Sequence, residues 1–405
     1  MTGVHVFTSI TANYLPKARV LAESIRRHDP AFRIHLVLCD DPPPGFDLAD
    51  EPFDSLIGLA ELGFAEDRRW LFDHTVVELC TAVKGRALQH LFDHCGAHKA
   101  FYFDPDTVVF GRLDELCAAL DHHGAILTPH QCAPEQTHQA VIDNELASLR
   151  HGVFNLGFLG ARADGEGRRL VDWWAERLHR FCHDDFSRGL FTDQRWMDLA
   201  PCFFPEVGIL RDPGFNVATW NLTHRQVIGS LRDGIRVNGV PLGFYHFSGF
   251  DSGAQEKMLG RYGADNPALL ELRHWYLAEC ERHGQSALGG LVGRWSRFDD
   301  GTLIEPRQRA LYRLRKDLQQ AFPDPFATAD PNASYLHWWR ASAPTDAAVG
   351  SFRALPDAPY GGVLGQFIDY TAARVQRSPR LGRLGRAALM APLALARRLA
   401  RLLPG

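Results

Sequence analysis

The chain has 405 residues, of which 45% are hydrophobic and 23% are charged, and its net charge is −4. This composition excludes a disordered, collagen-like or coiled-coil chain, and the low net charge argues against nucleic-acid binding. The eight cysteines include no Cys-x-x-Cys pair, so we predict neither a zinc cage nor a disulfide framework. Neither a transmembrane run nor a secretory leader is visible, so we expect a cytoplasmic location.

Apolar segments with strand and helix periodicity alternate along the first 250 residues. Residues 3–10 and 33–40 are typical of buried strands, and 17–28 between them has helical spacing. This order predicts a βαβ unit, and hence a parallel sheet with a right-handed crossover. Further predicted elements are a helix at 78–92, strands at 99–110, 124–129, 153–161 and 243–250, and helices at 167–181 and 193–199. We therefore predict an α/β domain with a mixed, mainly parallel sheet.

The pattern changes after residue 250. Residues 251–342 are more helical and less regular, 343–370 are rich in Pro, Ala and Gly, and 371–405 are arginine-rich and amphipathic. We predict a main domain at 1–250, followed by a helical extension, a linker region and a basic tail.

Asp104 and Asp106 flank Pro105 at the end of an apolar strand. Along a strand their side chains would point to opposite faces, but a turn at Pro105 lets both converge on one point. Converging carboxylates repel each other unless a cation lies between them, which predicts an Mg²⁺ or Mn²⁺ site. A solvated turn at a strand end is the alternative.

Two classes of enzyme use such a motif. In a haloacid-dehalogenase-type phosphatase, whose motif DxDxT is matched here, Asp104 would be a nucleophile and Asp106 a general acid. In a sugar-nucleotide glycosyltransferase the pair holds a cation that bridges the donor diphosphate. The phosphatase motif normally lies on the opening strand, whereas a βαβ unit precedes it here, so the sequence favours the glycosyltransferase.

A third metal ligand is predicted at His246, which ends the last predicted strand. Imidazole is a good ligand for Mn²⁺ in particular, and Ser248 and Gly249 offer backbone N–H groups to a phosphate. A histidine between aromatic residues is also typical of a packed core, and the spacing alone does not decide between the two.

The motifs, in this order, resemble those of bacterial glycosyltransferases of the GT-A fold, and are similar to the retaining family 8 enzymes. The resemblance covers roughly residues 4–250 and rests on FTSITANY at 7–14, KGR at 84–86, DPD at 104–106, FNLG at 154–157, DQ at 193–194 and HFSG at 246–249. Together these segments are specific for fold and reaction class, but not for the sugar.

The resemblance implies a role for each matching residue. Asp104, Asp106 and His246 would bind the metal, and Asp193 and Gln194 would line the reacting anomeric carbon. Nucleotide binding is expected of Thr8, Ser9, Thr11, Asn13, Tyr14, Lys84, Ser248 and Gly249. Contacts to the donor sugar or acceptor are expected of Arg86, Asn155, His130 and Asn216.

Several of these roles have a structural alternative. Lys84 and Arg86 would suit a solvated helix face, and Asp193 could cap the helix predicted at 193–199. His130 lies in a loop after a predicted strand, and the segment around Asn216 would also suit core packing.

Two positions depart from the family pattern. Phe250 and Asp251 follow the HFSG segment where a Lys-Pro-Trp is common, so a lysine contact to the diphosphate is missing or comes from elsewhere, such as Lys257. Arg195 stands where a second acid is common, which weakens the transfer of a specific mechanism.

From these motifs we predict a metal-dependent glycosyltransferase, and by default a hexosyltransferase using a uridine diphosphate sugar. It would glycosylate a hydroxyl of a cell-surface glycan or glycolipid precursor with retention. An inverting enzyme of the same fold, a phosphatase and a catalytically inert binding module remain as alternatives.

The C-terminal segment predicts a membrane contact. Residues 374–405 contain eight arginines and no acid, which leaves a net charge of −12 on residues 1–373. A basic amphipathic helix of this kind is typical of segments that lie on anionic membranes, here the inner face of the cytoplasmic membrane. A docking helix for a partner or second subunit is the alternative, and no oligomeric state is predicted.

Overall fold

The computed structural model describes residues 3–250 and 252–342. The linker predicted at 343–370 and the basic tail predicted at 371–405 lie outside the described residues. No helix within the described ranges combines the length and the hydropathy needed to cross a bilayer.

Strands are distributed over residues 4–246. In chain order they are β1 (Val4–Ile10), β2 (Arg33–Leu38), β3 (Ser55–Gly58), β4 (Lys99–Phe103), β5 (Thr107–Val109), β6 (Ala125–Pro129), β7 (Phe154–Arg162), β8 (Asp184–Asp185), β9 (Leu190–Phe191), β10 (Val207–Ile209), β11 (Val227–Ser230), β12 (Gly234–Val237), β13 (Val240–Pro241) and β14 (Phe244–His246).

Helices lie between these strands and after them. They are α1 (Leu15–His28), α2 (Arg68–Asp73), α3 (Val76–Ala82), α4 (Lys84–His94), α5 (Asp114–His122), α6 (His138–Ala140), α7 (Leu146–His151), α8 (Gly165–Phe181), α9 (Ala200–Phe203), α10 (Ala254–Tyr262), α11 (Pro267–Arg282), α12 (Gln285–Leu288), α13 (Pro306–Leu314), α14 (Lys316–Ala321) and α15 (Tyr335–Ser342). A π-helical turn at Val141–Glu145 joins α6 to α7, and 3₁₀ segments include Gln194–Leu199 and Thr219–His224.

Seven strands form the central sheet, in the order β10-β6-β7-β4-β1-β2-β3. β7 runs antiparallel to β4 and β6, and the other pairings in this sheet are parallel. The predicted fold class, a mixed α/β fold with a mainly parallel sheet and a helical C-terminal part, is confirmed. Because β7 is reversed, its first residues lie at the edge where the parallel strands end.

Both faces of the sheet are covered by helices. Alternate side chains of a strand point to opposite faces, so Val6 packs in one core cluster with Ala18 of α1, and Phe7 packs in another with Leu88 of α4 and Trp174 of α8. Burial on both faces explains why these strands are continuous apolar runs in the sequence.

The helices after residue 252 include a group that packs against the first half of the chain. The ring of Phe72 in α2 has its centroid 5.1 Å from that of Tyr312 in α13 and 5.5 Å from that of Tyr335 in α15. The buried guanidinium of Arg309 donates to the carbonyls of Phe72 and His74 at 2.6 and 2.8 Å. The predicted domain boundary at residue 250 stays a prediction.

One predicted helix is in fact two. The segment 78–92 is divided into α3 and α4 at Val83, and α4 places Gly85 directly against α8. A Cβ at Gly85 would lie 2.6 Å from the Cα of Ala175, so only glycine fits this helix contact.

Other predicted elements are shorter or of another type. The strand predicted at 99–110 is interrupted by the turn at residues 104–106, and the strand predicted at 243–250 ends at His246. The helix predicted at 193–199 is a 3₁₀ segment.

Candidate functional site

Several predicted site residues meet at the carboxyl edge of the central sheet. Asp104 follows β4, His130 follows β6, and Asn155 lies near the start of the reversed strand β7. His246 ends β14 and is paired with Thr107 of β5, which begins just after the turn at Asp104. The strand order therefore brings together residues that are up to 142 positions apart.

Asp104, Asp106 and His246 form one cluster, in which one ligand atom from each residue lies within 4.8 Å of the others. Nε2 of His246 is 3.0 Å from Oδ1 of Asp106 and 3.7 Å from Oδ2 of Asp104. The imidazole is buried, and both carboxylates are partly exposed. Two carboxylates and one imidazole are a ligand set that suits Mn²⁺ or Mg²⁺.

Backbone hydrogen bonds hold the two aspartates in their turn. The N–H of Asp104 donates to the carbonyl of Gly157 at 2.8 Å, and the N–H of Thr107 donates to that of Asp104 at 3.0 Å. The N–H of Phe247 donates to the carbonyl of Asp106 at 2.8 Å. The turn is thus tied to β7 on one side and to the end of β14 on the other, so both carboxylates face His246.

The cluster favours a positive charge between its carboxylates. Burial raises the pKa of Asp106, but the charge and hydrogen bond of His246 outweigh burial and lower this pKa overall. For His246, burial lowers the pKa, and the charges of Asp106 and Asp104 outweigh it and raise this pKa overall. Either a proton on His246 or a divalent cation would supply the charge.

Lys84 is buried between a metal-ligand candidate and a catalytic candidate. Its Nζ lies 2.8 Å from Oδ2 of Asp193 and 3.4 Å from Oδ1 of Asp104, and it donates to the carbonyl of Leu156 at 3.0 Å. The ammonium also lies 4.0 Å from the ring centroid of Tyr102. The alternative of a solvated lysine is wrong, because this side chain is only 2% exposed.

Asp193 follows a residue with a strained backbone. Thr192 has a φ of 42°, which is unfavourable for a β-branched side chain, and its hydroxyl donates to Oδ1 of Asp193 at 3.0 Å. Burial raises the pKa of Asp193, although the charge of Lys84 opposes this. Asp193 does occupy the N-cap position of the 3₁₀ segment, but its side chain makes no capping hydrogen bond there.

Gln194 connects the Asp193 loop to the start of β7. Its Nε2 donates to the carbonyl of His151 at 3.0 Å, and its Oε1 accepts from the N–H of Leu156 at 3.0 Å. Both the oxygen and the nitrogen of the Gln194 amide are therefore hydrogen-bonded within the protein. The predicted contact to the reacting sugar stays a prediction.

Three residues predicted to contact the sugar or acceptor are adjacent. Oδ1 of Asn155 accepts from Nδ2 of Asn216 at 3.1 Å, and Nε2 of His130 lies 3.3 Å from Nδ2 of Asn155. The same Oδ1 of Asn155 is 3.1 Å from Nδ1 of His246. Burial lowers the pKa of His130 to about 4, so this imidazole is neutral at physiological pH. The structure thus joins these residues to the metal-ligand cluster.

Thr8 and Ser9 fall within the strand predicted at residues 3–10, which is β1 in the structure. Both are buried within β1 rather than in the loop after it. The hydroxyl of Ser9 donates to the carbonyl of Cys80 at 2.7 Å, which ties β1 to α3. The loop at the carboxyl end of β1 begins after Ile10.

The loop after β1 contains the other predicted nucleotide-binding residues of this segment. The hydroxyl of Thr11 donates to Oδ1 of Asn13 at 2.7 Å, and Tyr14 ends a 3₁₀ turn. Lys17, in the first turn of α1, is 5% exposed, and its ammonium lies 4.0 Å from the ring centroid of Tyr14.

Lys17 and Tyr102 are site residues that sequence reasoning missed. The charge of Lys17 helps to lower the pKa of Asp106, and the hydroxyl of Tyr102 donates to Oδ1 of Asp104 at 2.5 Å. A signal for Lys17 exists in the sequence, because it falls on the apolar stripe of an amphipathic helix. Tyr102 is one of several aromatic residues in a buried strand and carries no such signal.

The remaining predicted site residues are Arg86, Ser248 and Gly249. Arg86 is exposed two positions after Lys84 on α4, so it lies on another face of the helix, where it donates to Oε1 of Gln89 at 3.1 Å. The structure does not bring Arg86 to the site. Ser248 and Gly249 follow His246 in a turn, in which Gly249 has a φ of 84° and accepts from the N–H of Gln255 at 3.1 Å.

Comparisons with known proteins give two curated relatives, both uncharacterized proteins of Bacillus subtilis strain 168. YfnD is 27% identical over 256 residues, which are 62% of this chain and 79% of YfnD. YfnF is 32% identical over 152 residues, which are 37% of this chain and 46% of YfnF. No protein-family model matches the sequence.

Similar solved structures include the galactosyltransferase LgtC in complex with donor and acceptor sugar analogs, with 15% identity and a TM-score of 0.41. That similarity covers 72% of this chain and 98% of LgtC. Another is the glycosyltransferase GlyE of Streptococcus pneumoniae TIGR4, with 16% identity, a TM-score of 0.39, and coverage of 69% of this chain and 64% of GlyE.

Proposed function

We propose that this chain is a metal-dependent glycosyltransferase that moves a sugar from a nucleoside-diphosphate donor to a hydroxyl of a glycan or glycolipid. The main observation behind the proposal is the cluster of Asp104, Asp106 and His246 beside the buried pair Lys84–Asp193. This group lies at the carboxyl edge of the parallel strands, which is where open α/β sheets bind nucleotides.

The residues present fit a divalent cation. Oxygen ligands suit both Mg²⁺ and Mn²⁺, and the imidazole of His246 favours Mn²⁺. Gly157 provides the space for this imidazole, because a Cβ there would lie 2.3 Å from Cε1 of His246. When bound, the cation supplies the positive charge that neutralises a departing diphosphate.

The protein residues around the cluster have separate roles in this proposal. The loop of Thr11, Asn13 and Tyr14 binds the nucleoside at the end of β1. Asp193 faces the anomeric carbon and stabilises the positive charge that develops there. Lys84 keeps Asp193 and Asp104 at a fixed separation in a buried, low-dielectric site, where electrostatic interactions are strong.

Several finer features belong to the same proposal. We take a uridine diphosphate hexose as the donor and retention as the outcome, with inversion as the alternative. A peripheral location on the inner face of the cytoplasmic membrane, through residues 374–405, would suit a lipid-linked acceptor.

Thermal unfolding with nucleotide sugars, with and without Mn²⁺, tests the proposal. We expect a nucleotide sugar to raise the melting temperature of the wild type only when Mn²⁺ is present. In Asp106→Asn this Mn²⁺-dependent increase should disappear, and nucleotide release from the donor should fall by at least about 100-fold, because a ligand to the charge-neutralising cation is lost.

The exposed acid Glu115 supplies a matched control, since Glu115→Gln removes one charge without touching the site. Equal increases in the melting temperature of wild type and Asp106→Asn would contradict the assigned site. Hydrolysis of phosphate monoesters through an aspartyl phosphate on Asp104 would establish the phosphatase instead. The anomeric configuration of the product, measured by NMR, separates retention from inversion.

A further inference from the structure

The side-chain oxygen of Asn155 is the common acceptor of three hydrogen bonds at the site. It accepts from the backbone N–H of Gly157 at 3.2 Å and from Nδ2 of Asn216 at 3.1 Å. Nδ1 of His246 lies 3.1 Å from the same oxygen. Asn155 is 8% exposed, so these contacts are shielded from water.

The contact with Gly157 identifies the atoms of the Asn155 amide. A backbone N–H can only donate, so the amide atom that faces it is the oxygen and not the nitrogen. The same atom faces Nδ1 of His246, and therefore Nδ1 must carry the hydrogen. Nε2 is left to face the carboxylates, at 3.0 Å from Oδ1 of Asp106.

Two neighbours confine the imidazole ring of His246. The indole ring of Trp220 lies edge-on to it, with a centroid distance of 5.2 Å and an interplanar angle of 85°. On another side Gly157 leaves no further space, since even a Cβ would lie 2.7 Å from Nδ1 of His246. The hydrogen bond to Asn155 is the polar contact that selects which nitrogen of the confined ring points to Asp106.

We propose that Asn155 is a positioning residue, which fixes His246 with Nε2 directed at the divalent-cation site. In metal centres, a partner that accepts the second N–H of a ligating histidine sets the orientation and the basicity of that ligand. This inference rests on the metal site of the proposed function. It concerns the oxygen of Asn155, which three donors within the protein already use, and the predicted contact of Asn155 to the sugar or acceptor stays a prediction.

Titration of the purified full-length chain with Mn²⁺ alone tests this role without any substrate. Loss of the free-Mn²⁺ signal in electron paramagnetic resonance gives the dissociation constant. Asn155→Leu keeps the approximate shape and removes the acceptor, so we expect Mn²⁺ binding about 10- to 100-fold weaker than in the wild type. Asn155→Asp keeps an acceptor oxygen, so its affinity should lie closer to that of the wild type than to that of Asn155→Leu.

Pulsed measurements on bound Mn²⁺ give a second readout. The ¹⁴N modulation from a ligating imidazole should be present in the wild type, absent in His246→Ala, and lost or reduced in Asn155→Leu. A residue needed only for folding would not produce this combination in a variant that retains the wild-type melting temperature. If Asn155→Leu does not fold, Asn155→Ser, whose shorter side chain cannot reach Nδ1, takes its place with the same expectation.

Asn144 offers a matched control, because it is another buried asparagine, bonded through Nδ2 to Glu135. Asn144→Leu should leave the Mn²⁺ affinity unchanged. Wild-type affinity and ¹⁴N modulation in Asn155→Leu would overturn the positioning role and leave the proposed metal site intact. A wild-type chain that does not bind Mn²⁺ would overturn both.

Discussion

Gly157 shapes the candidate metal site because it has no side chain. Its carbonyl accepts from the N–H of Asp104, its N–H donates to Asn155, and its missing Cβ leaves the space that the imidazole of His246 occupies. Three predicted site residues are therefore positioned by a residue with no functional group.

Gly157→Ala should weaken Mn²⁺ binding by at least about 10-fold, because the added Cβ would displace His246 and disturb its Asn155 partner. Calorimetric titration with Mn²⁺ measures this effect. Gly260→Ala in α10 is the control, since nothing lies within 4 Å of its added Cβ. A Gly157→Ala protein with wild-type affinity would show that the imidazole is not confined as described.

Among the helices, α13 is linked through Glu78 of α3 to Asp184, where the segment that leads to Asp193 begins. Nη2 of Arg313 lies 2.9 Å from Oε2 of Glu78, and Oε1 of Glu78 accepts from the N–H of Asp184 at 2.8 Å. Burial raises the pKa of Glu78, but Arg313 and the hydrogen bonds outweigh it and lower this pKa to about 2. A helix from the C-terminal part thus supports the segment 184–193.

Arg313→Met should lower the free energy of unfolding by about 3 kcal/mol, because it leaves the carboxylate of Glu78 buried without its cation. Urea unfolding monitored by circular dichroism measures the loss. Adding Glu78→Gln should recover part of the stability, as a double-mutant cycle would show.

The surface pair Arg112–Asp114, with side chains 57% and 49% exposed, supplies the comparison. Arg112→Met should lower the free energy of unfolding much less than Arg313→Met does, since exposed ion pairs contribute little. Similar losses of unfolding free energy in the two variants would mean that the Glu78–Arg313 pair contributes no more than an exposed ion pair.

At the scale of the whole molecule, buried histidines should make the free energy of unfolding depend on pH. Burial, assisted by the neighbouring His5 and Arg33 and opposed by Asp54, lowers the pKa of His35 to about 4. Burial also lowers the pKa of His74 to about 4. The two ring nitrogens of His35 lie 2.8 Å from Nδ1 of His5 and 2.6 Å from the hydroxyl of Ser55.

Stability should therefore fall as the pH decreases from about 6.5 to about 4, because in this range the unfolded chain binds protons that the folded chain excludes. Below about pH 4 the stability that depends on neutral buried histidines is fully lost, and above about pH 6.5 it is fully present. His35→Gln should reduce the slope of unfolding free energy against pH by up to about 1.4 kcal/mol per unit. Urea unfolding at several pH values measures the slope, and equal slopes in both proteins would contradict the assignment.

The sequence alone determined the local order of the chain. The apolar runs, the helical spacing between them and the turn at Asp104–Asp106 depend on neighbouring residues, so periodicity and turn chemistry were sufficient to predict them. The metal-ligand candidates were also predicted, the two aspartates from the turn at Pro105 and the joint set with His246 from the resemblance to glycosyltransferases of the GT-A fold.

Only the tertiary structure decided which distant groups meet and how each polar atom is used. Lys84 joins Asp193 across 109 positions, and Arg313 joins Glu78 across 235. Spacing along a sequence does not report distances across a sheet, nor whether an amide contacts substrate or another side chain. Asn155 and Gln194 were predicted to contact the sugar or the reacting carbon, and their amides also bond within the protein, because the reversed strand β7 places Asn155 against His246 and the N–H of Leu156 against Gln194.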